Sequence, residues 1–169
     1  MLPIVLDRTT IRIGVAGEGE GLKRRLELLS GAGVKHVAVF EGRAPGQEEL
    51  APLKVLFVAG LDPAKARELT LAARRSGALV NVEDQPDLCD FNVPALVRRG
   101  DLLITVSTGG QSPALSRLLR EELEEYFGPE WSERMGEIAR SRAAWRAAGI
   151  DPAGVSERTR ALVKSRGWL

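Results

Sequence analysis

Ile11 to Glu41 reads IRIGVAGEGEGLKRRLELLSGAGVKHVAVFE, and the succession of residue types along it decides the fold. The β-branched run Ile11 to Ala16 predicts a strand, and GEGEG at Gly17 to Gly21 predicts a glycine-rich turn. Beyond it Leu22, Leu26, Leu28 and Leu29 recur at helical spacing among Lys23, Arg24, Arg25 and Glu27, until Gly31 and Gly33 stop the helix. Val34 to Phe40 (VKHVAVF) predicts a second strand, ending at Glu41 before the loop Gly42 to Gln47. Strand, turn, helix and strand make a βαβ unit of about 30 residues, the usual size.

A second unit follows. Leu53 to Ala59 (LKVLFVA) reads as a buried strand, Asp62-Pro63 as a helix cap and first helical residue, and Ala64 to Ser76 as the helix, closed by Gly77. Leu79 to Val82 (LVNV), an acidic loop EDQPDLCDF and Leu102 to Ser107 (LLITVS) continue the series. This order predicts an α/β fold with a mostly parallel sheet covered by helices. Ser112-Pro113 then opens an amphipathic helix with Leu115, Leu118, Leu119, Leu123, Tyr126 and Phe127 on one side. From Pro129 to Leu169 the chain turns to Arg, Ala and Glu with Trp131, Trp145 and Trp168, a small helical tail broken at Gly149 to Gly154.

Composition narrows the function. At 169 residues, with 44% hydrophobic and 28% charged, the chain has the size and make-up of one globular domain with at most a small appendage. Its 24 Lys and Arg nearly cancel 23 Asp and Glu, which disfavours a nucleic-acid partner. No apolar run approaches the roughly 20 residues that span a bilayer, and the N-terminus MLPIVLDRTT lacks the pattern of an export signal, so the expectation is a soluble cytoplasmic protein without a membrane partner. A single cysteine, Cys89, and a single histidine, His36, exclude an internal disulfide and a typical structural zinc site. Both read as structural, His36 inside an alternating strand and Cys89 as a small packed residue without a basic neighbour to activate it.

Three stretches can carry chemistry. In the GEGEG turn, Gly17 and Gly19 allow a close approach to a pyrophosphate at a helix N-terminus, and Glu41, 24 residues after Gly17, stands where a carboxylate accepts from a ribose diol. That carboxylate would repel a 2′-phosphate, which favours NAD over NADP. Leu22 stands where the dinucleotide fingerprint has a small residue, and Glu18 and Glu20 add negative charge, so a ligand-free turn stays open at this point. Asp84 follows the LVNV strand and belongs at the carboxyl edge of the sheet, as a general base or as an ordinary loop carboxylate. Ser107 to Pro113 (STGGQSP) is a second strand-to-helix turn, whose Ser112 and Pro113 cap a helix and whose donors can hold an anion. Arg98, Arg99, Arg117 and Arg120 are either solvated or positioned for a polycarboxylate.

Taken with LPIVLD at Leu2 to Asp7 and the glycine turn, VNVEDQPDLCDFNVPALVRRGDLLITVSTGGQSPALSRLLREELE from Val80 to Glu124 closely resembles one family over about residues 2 to 127. It is the precorrin-2 dehydrogenase and sirohydrochlorin ferrochelatase module of siroheme synthases. The resemblance implies a Rossmann-like NAD-binding domain at 1–93, a dimerisation region at 94–127 and a small helical C-terminal domain at 128–169. It implies a homodimer that oxidises precorrin-2 to sirohydrochlorin with NAD and, in some members, inserts ferrous iron as a substrate. Asp84 matches the carboxylate implicated in both activities. Glu20, Gly21, Glu41 and Gly42 match the family's NAD contacts, beside Gly17 and Gly19. The substrate's carboxylates would call on Thr108, Gly109, Gly110 and Ser112 and on arginines such as Arg117, with no resident metal ligands. Leu22, the Ala59-Gly60-Leu61 sequence after the LFVA strand, Thr108 in place of a serine and the short tail depart from the family pattern. They keep two alternatives in view, a chelatase without the oxidation step and a non-catalytic tetrapyrrole-binding module.

Overall fold

Four parallel strands build the first sheet: β1 (Ile13–Gly17), β2 (Val37–Glu41), β3 (Val55–Ala59) and β4 (Leu79–Val82), side by side in the order β2-β1-β3-β4. The computed structural model describes residues 2–169 and divides into two units, one ending at Val93 and the other running Pro94–Leu169. In the first unit α1 (Gly19–Gly31) joins β1 to β2, and α3 (Pro63–Arg75) joins β3 to β4. A four-residue helix, α2 (Gln47–Leu50), lies within the stretch between β2 and β3.

The sheet is buried on both faces, and strand alternation sorts its side chains into two cores. Val55 and Phe57 of β3 join Ile13, Val15, Leu22 and Leu29 in one cluster, whereas Leu56 and Val58 join Phe40, Leu69, Val80 and Val82 in the other. β1 pairs with both β2 and β3, so the chain leaves β1 on one side and returns to it on the other. Such a reversal marks the place, at the carboxyl ends of β1 and β3, where sheets of this kind hold ligands.

In the second unit β5 (Ala95–Arg99) and β6 (Leu102–Val106) form an antiparallel pair of their own, followed by α4 (Pro113–Tyr126), α5 (Trp131–Ala147) and α6 (Pro152–Ser165). The LLITVS strand was expected to continue the parallel sheet, and it does not. Only Gly100 and Asp101 separate it from β5, which suits a hairpin, whereas a parallel return needs a crossover of a dozen or more residues. In α5 and α6 the buried residues are Trp131 and Val155. Arg134 lies over both the Trp131 and Trp168 rings, 5.1 and 5.5 Å from their centroids, and joins the C-terminal end to α5. His36 precedes β2 instead of lying within it and is exposed, so its side chain has no core role.

Candidate functional site

Gly17, Glu41 and Ala59 end three neighbouring strands in register, and Asp84 follows the fourth, so these residues gather on one edge of the first unit. The fit at its centre is close. A Cβ on Gly17 (φ +150°) would overlap the Ala59 carbonyl oxygen, and one on Gly60 would overlap the Glu18 carbonyl oxygen. The departure at Gly60 thus has a local cause: only a residue without a side chain lets the two strand ends pass. The Glu18 amide donates to the Ala59 oxygen at 3.2 Å, and the Gly42 amide to the Gly17 oxygen at 3.1 Å.

The turn leaves the amino end of α1 without a side-chain cap, because the N-cap is Glu18 in an extended conformation that accepts no such bond. A helix start of this kind has amide donors to offer an anion. Above it, a Cβ on Gly19 would meet nothing within 4 Å, so the cradle is open there. Glu20 points to solvent and pairs with Lys23 at 2.6 Å, which offsets its charge. Leu22 does not fill the turn. Its side chain is buried against the β1–β3 face of the sheet, and the close-approach role falls to Gly21, where a Cβ would lie 3.1 Å from that of Ala59.

Glu41 is exposed at the end of β2. Two residues on, Arg43 is paired with Glu49, with guanidinium-to-carboxylate distances of 2.8 and 2.6 Å, and it stacks on Phe40 at 5.1 Å. The Arg43 bond and the Gly46 amide lower the Glu49 carboxyl to about 2.

Asp84 is exposed, and it is the one non-glycine residue with positive φ, 58°, among the described residues. Asp tolerates this left-handed conformation better than most residues, at a cost of about 1 kcal/mol or more. Its neighbours are held firmly. The Glu83 amide donates to the Val58 oxygen at 2.9 Å, the Asp90 amide to the Val80 oxygen at 2.7 Å, and the Val80 amide to Asp90 Oδ2 at 2.9 Å. Cys89 Sγ accepts from the Val82 amide at 3.2 Å, so the acidic loop closes the free edge of β4. The Asp90 carboxyl titrates below its ordinary value. Burial, the largest influence, pushes it up, but Arg74 and the Val80 amide together outweigh that effect.

A residue the sequence reading passed over completes this edge. Glu83, next to Asp84, turns its side chain toward α1, where Arg24 meets its Oε1 at 3.1 Å and Arg25 approaches to 4.0 Å. The period-2 pattern of LVNVE was the available signal, since it sends Asn81 and Glu83 to the face opposite Val80 and Val82.

In the second unit the STGGQSP turn is occupied with itself. Ser112 Oγ accepts from the Leu115 amide at 3.3 Å, capping α4. Thr108 Oγ1 accepts from the Ser112 amide and donates to the Ser112 oxygen, both at 3.1 Å, and the Ser107 hydroxyl accepts from the Gly109 amide at 3.3 Å. Gly109 and Gly110 bend the chain between them with positive φ. Of the four arginines, Arg99 donates to the Phe127 and Glu124 carbonyl oxygens at the end of α4, and Arg120 pairs with Glu121 and Glu124. Both guanidinium groups are thus engaged within the second unit. Arg117 is exposed on α4.

Among the described residues no group of three His, Cys, Asp or Glu is placed to hold a metal ion, and no helix is long and apolar enough to cross a membrane. A cavity of about 480 Å³ opens at the opposite, amino end of the strands, lined by Arg12, Lys35, His36 and Leu53 among others. The residues assembled at the carboxyl edge do not line it.

The chain is similar to known proteins in keeping with this geometry. Residues 4–95 match the family described as putative NAD(P)-binding, and residues 99–126 match the sirohaem biosynthesis protein central family. A siroheme synthase of Methylococcus capsulatus is 34% identical over 160 residues, 84% of this chain and 33% of its own length. One of Thiobacillus denitrificans is 34% identical over 167 residues, 87% of this chain and 34% of its own. The chain thus spans about a third of the length of these curated relatives. Among solved structures, SirC, a precorrin-2 dehydrogenase, superposes with a TM-score of 0.72 at 19% identity, covering 96% of this chain and 89% of that one, which shows a shared fold. With a glycine turn at the carboxyl edge of a parallel sheet and a central segment after it, the chain belongs to the putative NAD(P)-binding family, in the arrangement related to siroheme synthases.

Proposed function

We propose that this protein oxidises precorrin-2 to sirohydrochlorin with NAD. The observation that carries the proposal is the meeting of the uncapped, open glycine turn, Glu41 and Asp84 on one sheet edge. Gly17, Gly19 and Gly21 would admit the pyrophosphate to the α1 amides, with Glu20 and Gly42 beside them, and Glu41 would accept from the ribose hydroxyls. NAD is preferred to NADP on two grounds. Glu41 repels a 2′-phosphate, and Arg43, the nearest cation in sequence, is already bound by Glu49.

The nicotinamide, when bound, supplies hydride acceptance. The chain supplies position and a base. Asp84 is exposed on the turn after β4, where its carboxylate can take the proton that leaves as the macrocycle is oxidised. Arg117 and the turn of Thr108, Gly109, Gly110 and Ser112 are proposed to meet the substrate carboxylates, with Arg117 contributing most, because the turn's hydroxyls are largely engaged internally. Ferrous iron, where it is inserted, is a substrate, and Asp84 would accept the displaced pyrrole protons. Residues 94–127 are proposed as a dimerisation region, and the exposed apolar side of α4, with Leu115, Leu118 and Tyr126 at 47, 60 and 64% exposure, supports a homodimer. A cytoplasmic location goes with this reading.

The test is the rise in absorbance of NADH when the purified protein meets precorrin-2 and NAD anaerobically without metal, repeated with NADP. Sirohydrochlorin and NADH should appear together, and faster with NAD. Asp84→Ala should lower turnover by about 100-fold or more while NAD still binds. Full oxidation by that variant removes Asp84 from the chemistry. No NADH from the folded parent chain leaves the chelatase or tetrapyrrole-binding alternatives.

A further inference from the structure

One carboxylate, that of Glu83, links the turn carrying Asp84 to α1. Glu83 directly precedes Asp84, and strand alternation sends its side chain toward α1. There its carboxylate lies so close over Gly21, the third residue of α1, that a Cβ on that glycine would overlap Glu83 Oε2. Arg24 and Arg25 of the same helix hold Glu83 Oε1 at 3.1 and 4.0 Å. The Glu83 side chain is 16% exposed and Arg25 19%, so the carboxylate and the longer contact are withdrawn from solvent, with the Arg25 guanidinium 5.6 Å from the centre of the Phe57 ring, while Arg24, which makes the shorter contact, is 60% exposed.

The Asp84 turn needs such a restraint. Asp84 sits in the left-handed region, and that conformation persists only where the surroundings impose it. The Glu83 amide fixes the start of the turn on the Val58 oxygen at 2.9 Å, but the bond that closes it around Asp84, from the Gln85 amide to the Val82 oxygen, is long, 3.5 Å.

We propose that Glu83 is a positioning residue: through Arg24, Arg25 and Gly21 it ties the Asp84 turn to the amino end of α1, so that cofactor binding and placement of the base are coupled. The proposal rests on the dehydrogenase reading above for its catalytic consequence, while the mechanical link stands on the contacts alone. Glu83 itself touches neither the substrate nor the reacting atoms in this scheme.

Glu83→Gln keeps the size of the side chain and removes its charge, and Arg24→Met with Arg25→Met removes the other half. Each protein is followed by amide hydrogen exchange with and without NAD, by the Kd for NAD, and by kcat and KM. In the parent chain NAD should slow exchange across residues 83–88. In Glu83→Gln that protection should be lost and kcat should fall about tenfold, as for a base displaced by a fraction of an ångström, with the Kd for NAD changed less than about threefold. The double arginine variant should reproduce the pattern, and unchanged exchange in β1 and β3 certifies the fold. Unaltered exchange and kcat in Glu83→Gln overturn the proposal. So does a fall in NAD affinity as large as the fall in kcat, because Glu83 would then belong to the cofactor cradle. A parent chain that binds NAD without oxidising precorrin-2 defeats the functional reading only, and the exchange data still decide the link.

Discussion

The turn at Gly17 to Gly21 and the turn at Ser107 to Pro113 both lead from a strand into a helix and both use small residues, yet they leave their helices in opposite states. The first ends in an uncapped α1, with Ala59 and Glu83 close against its glycines and Gly60 against Glu18. In the second, Ser112 caps α4 and Thr108 stitches the turn across its own backbone. Hydroxyls satisfy donors that glycines leave open. A strand-to-helix turn therefore keeps amide donors open to an anion where its side chains fail to cap them, and has fewer to offer where they succeed.

This contrast breaks first where the glycine fit is tightest. Gly17→Ala would drive a methyl group into the Ala59 carbonyl oxygen, costing at least about 3 kcal/mol and about 10 °C in Tm, read by thermal melting. A Tm within a couple of degrees of the parent would refute the close fit. Gly19→Val separates cofactor binding from folding. Its space is open but its φ is +65°, so it should cost about 1–3 kcal/mol of stability while weakening NAD by at least about tenfold, measured by calorimetry. Retained NAD affinity would move the phosphate site elsewhere.

In the second turn the expected effect is smaller. Ser112→Ala should lose about 1 kcal/mol and leave the Kd for NAD unchanged, since it removes a cap and no cofactor contact. The smallest effect lies in α2, at Glu49. Its folded pKa of about 2 is below the ordinary 4.5, so its bond to Arg43 contributes stability above pH 4.5, and that contribution fades as pH falls from 4.5 toward about 2. The Tm difference between the parent and Glu49→Gln should thus shrink over that interval. Because the pair is exposed, the difference is small at any pH.

Residues such as Leu22 and Asp84 mark how far the sequence can be read. The order of elements, the parallel sheet of β1 to β4 and the placing of Asp84 at its carboxyl edge all follow from patterns of one or two dozen residues, because hydrophobic period and glycine punctuation are local properties. LLITVS reads as a further strand of that sheet but pairs elsewhere, because the partner segment Ala95–Arg99 has weak strand character by itself and its pairing emerges only across the Gly100–Asp101 turn. Leu22 reads as an obstruction in the fingerprint, yet the helix rotates it into the core and gives its task to Gly21.

By itself the sequence determined the βαβ succession, the acidic and glycine-rich turns, and the family to which they belong, since each depends on residues near one another in the chain. Only the tertiary structure decided that Glu83 reaches Arg24 across 59 residues, that Gly60 lies against Glu18, and that Arg99 and Arg120 are engaged within their own unit. These contacts turn on register and helix rotation, where a shift of one residue sends a side chain to the opposite face, and packing alone selects among the possibilities.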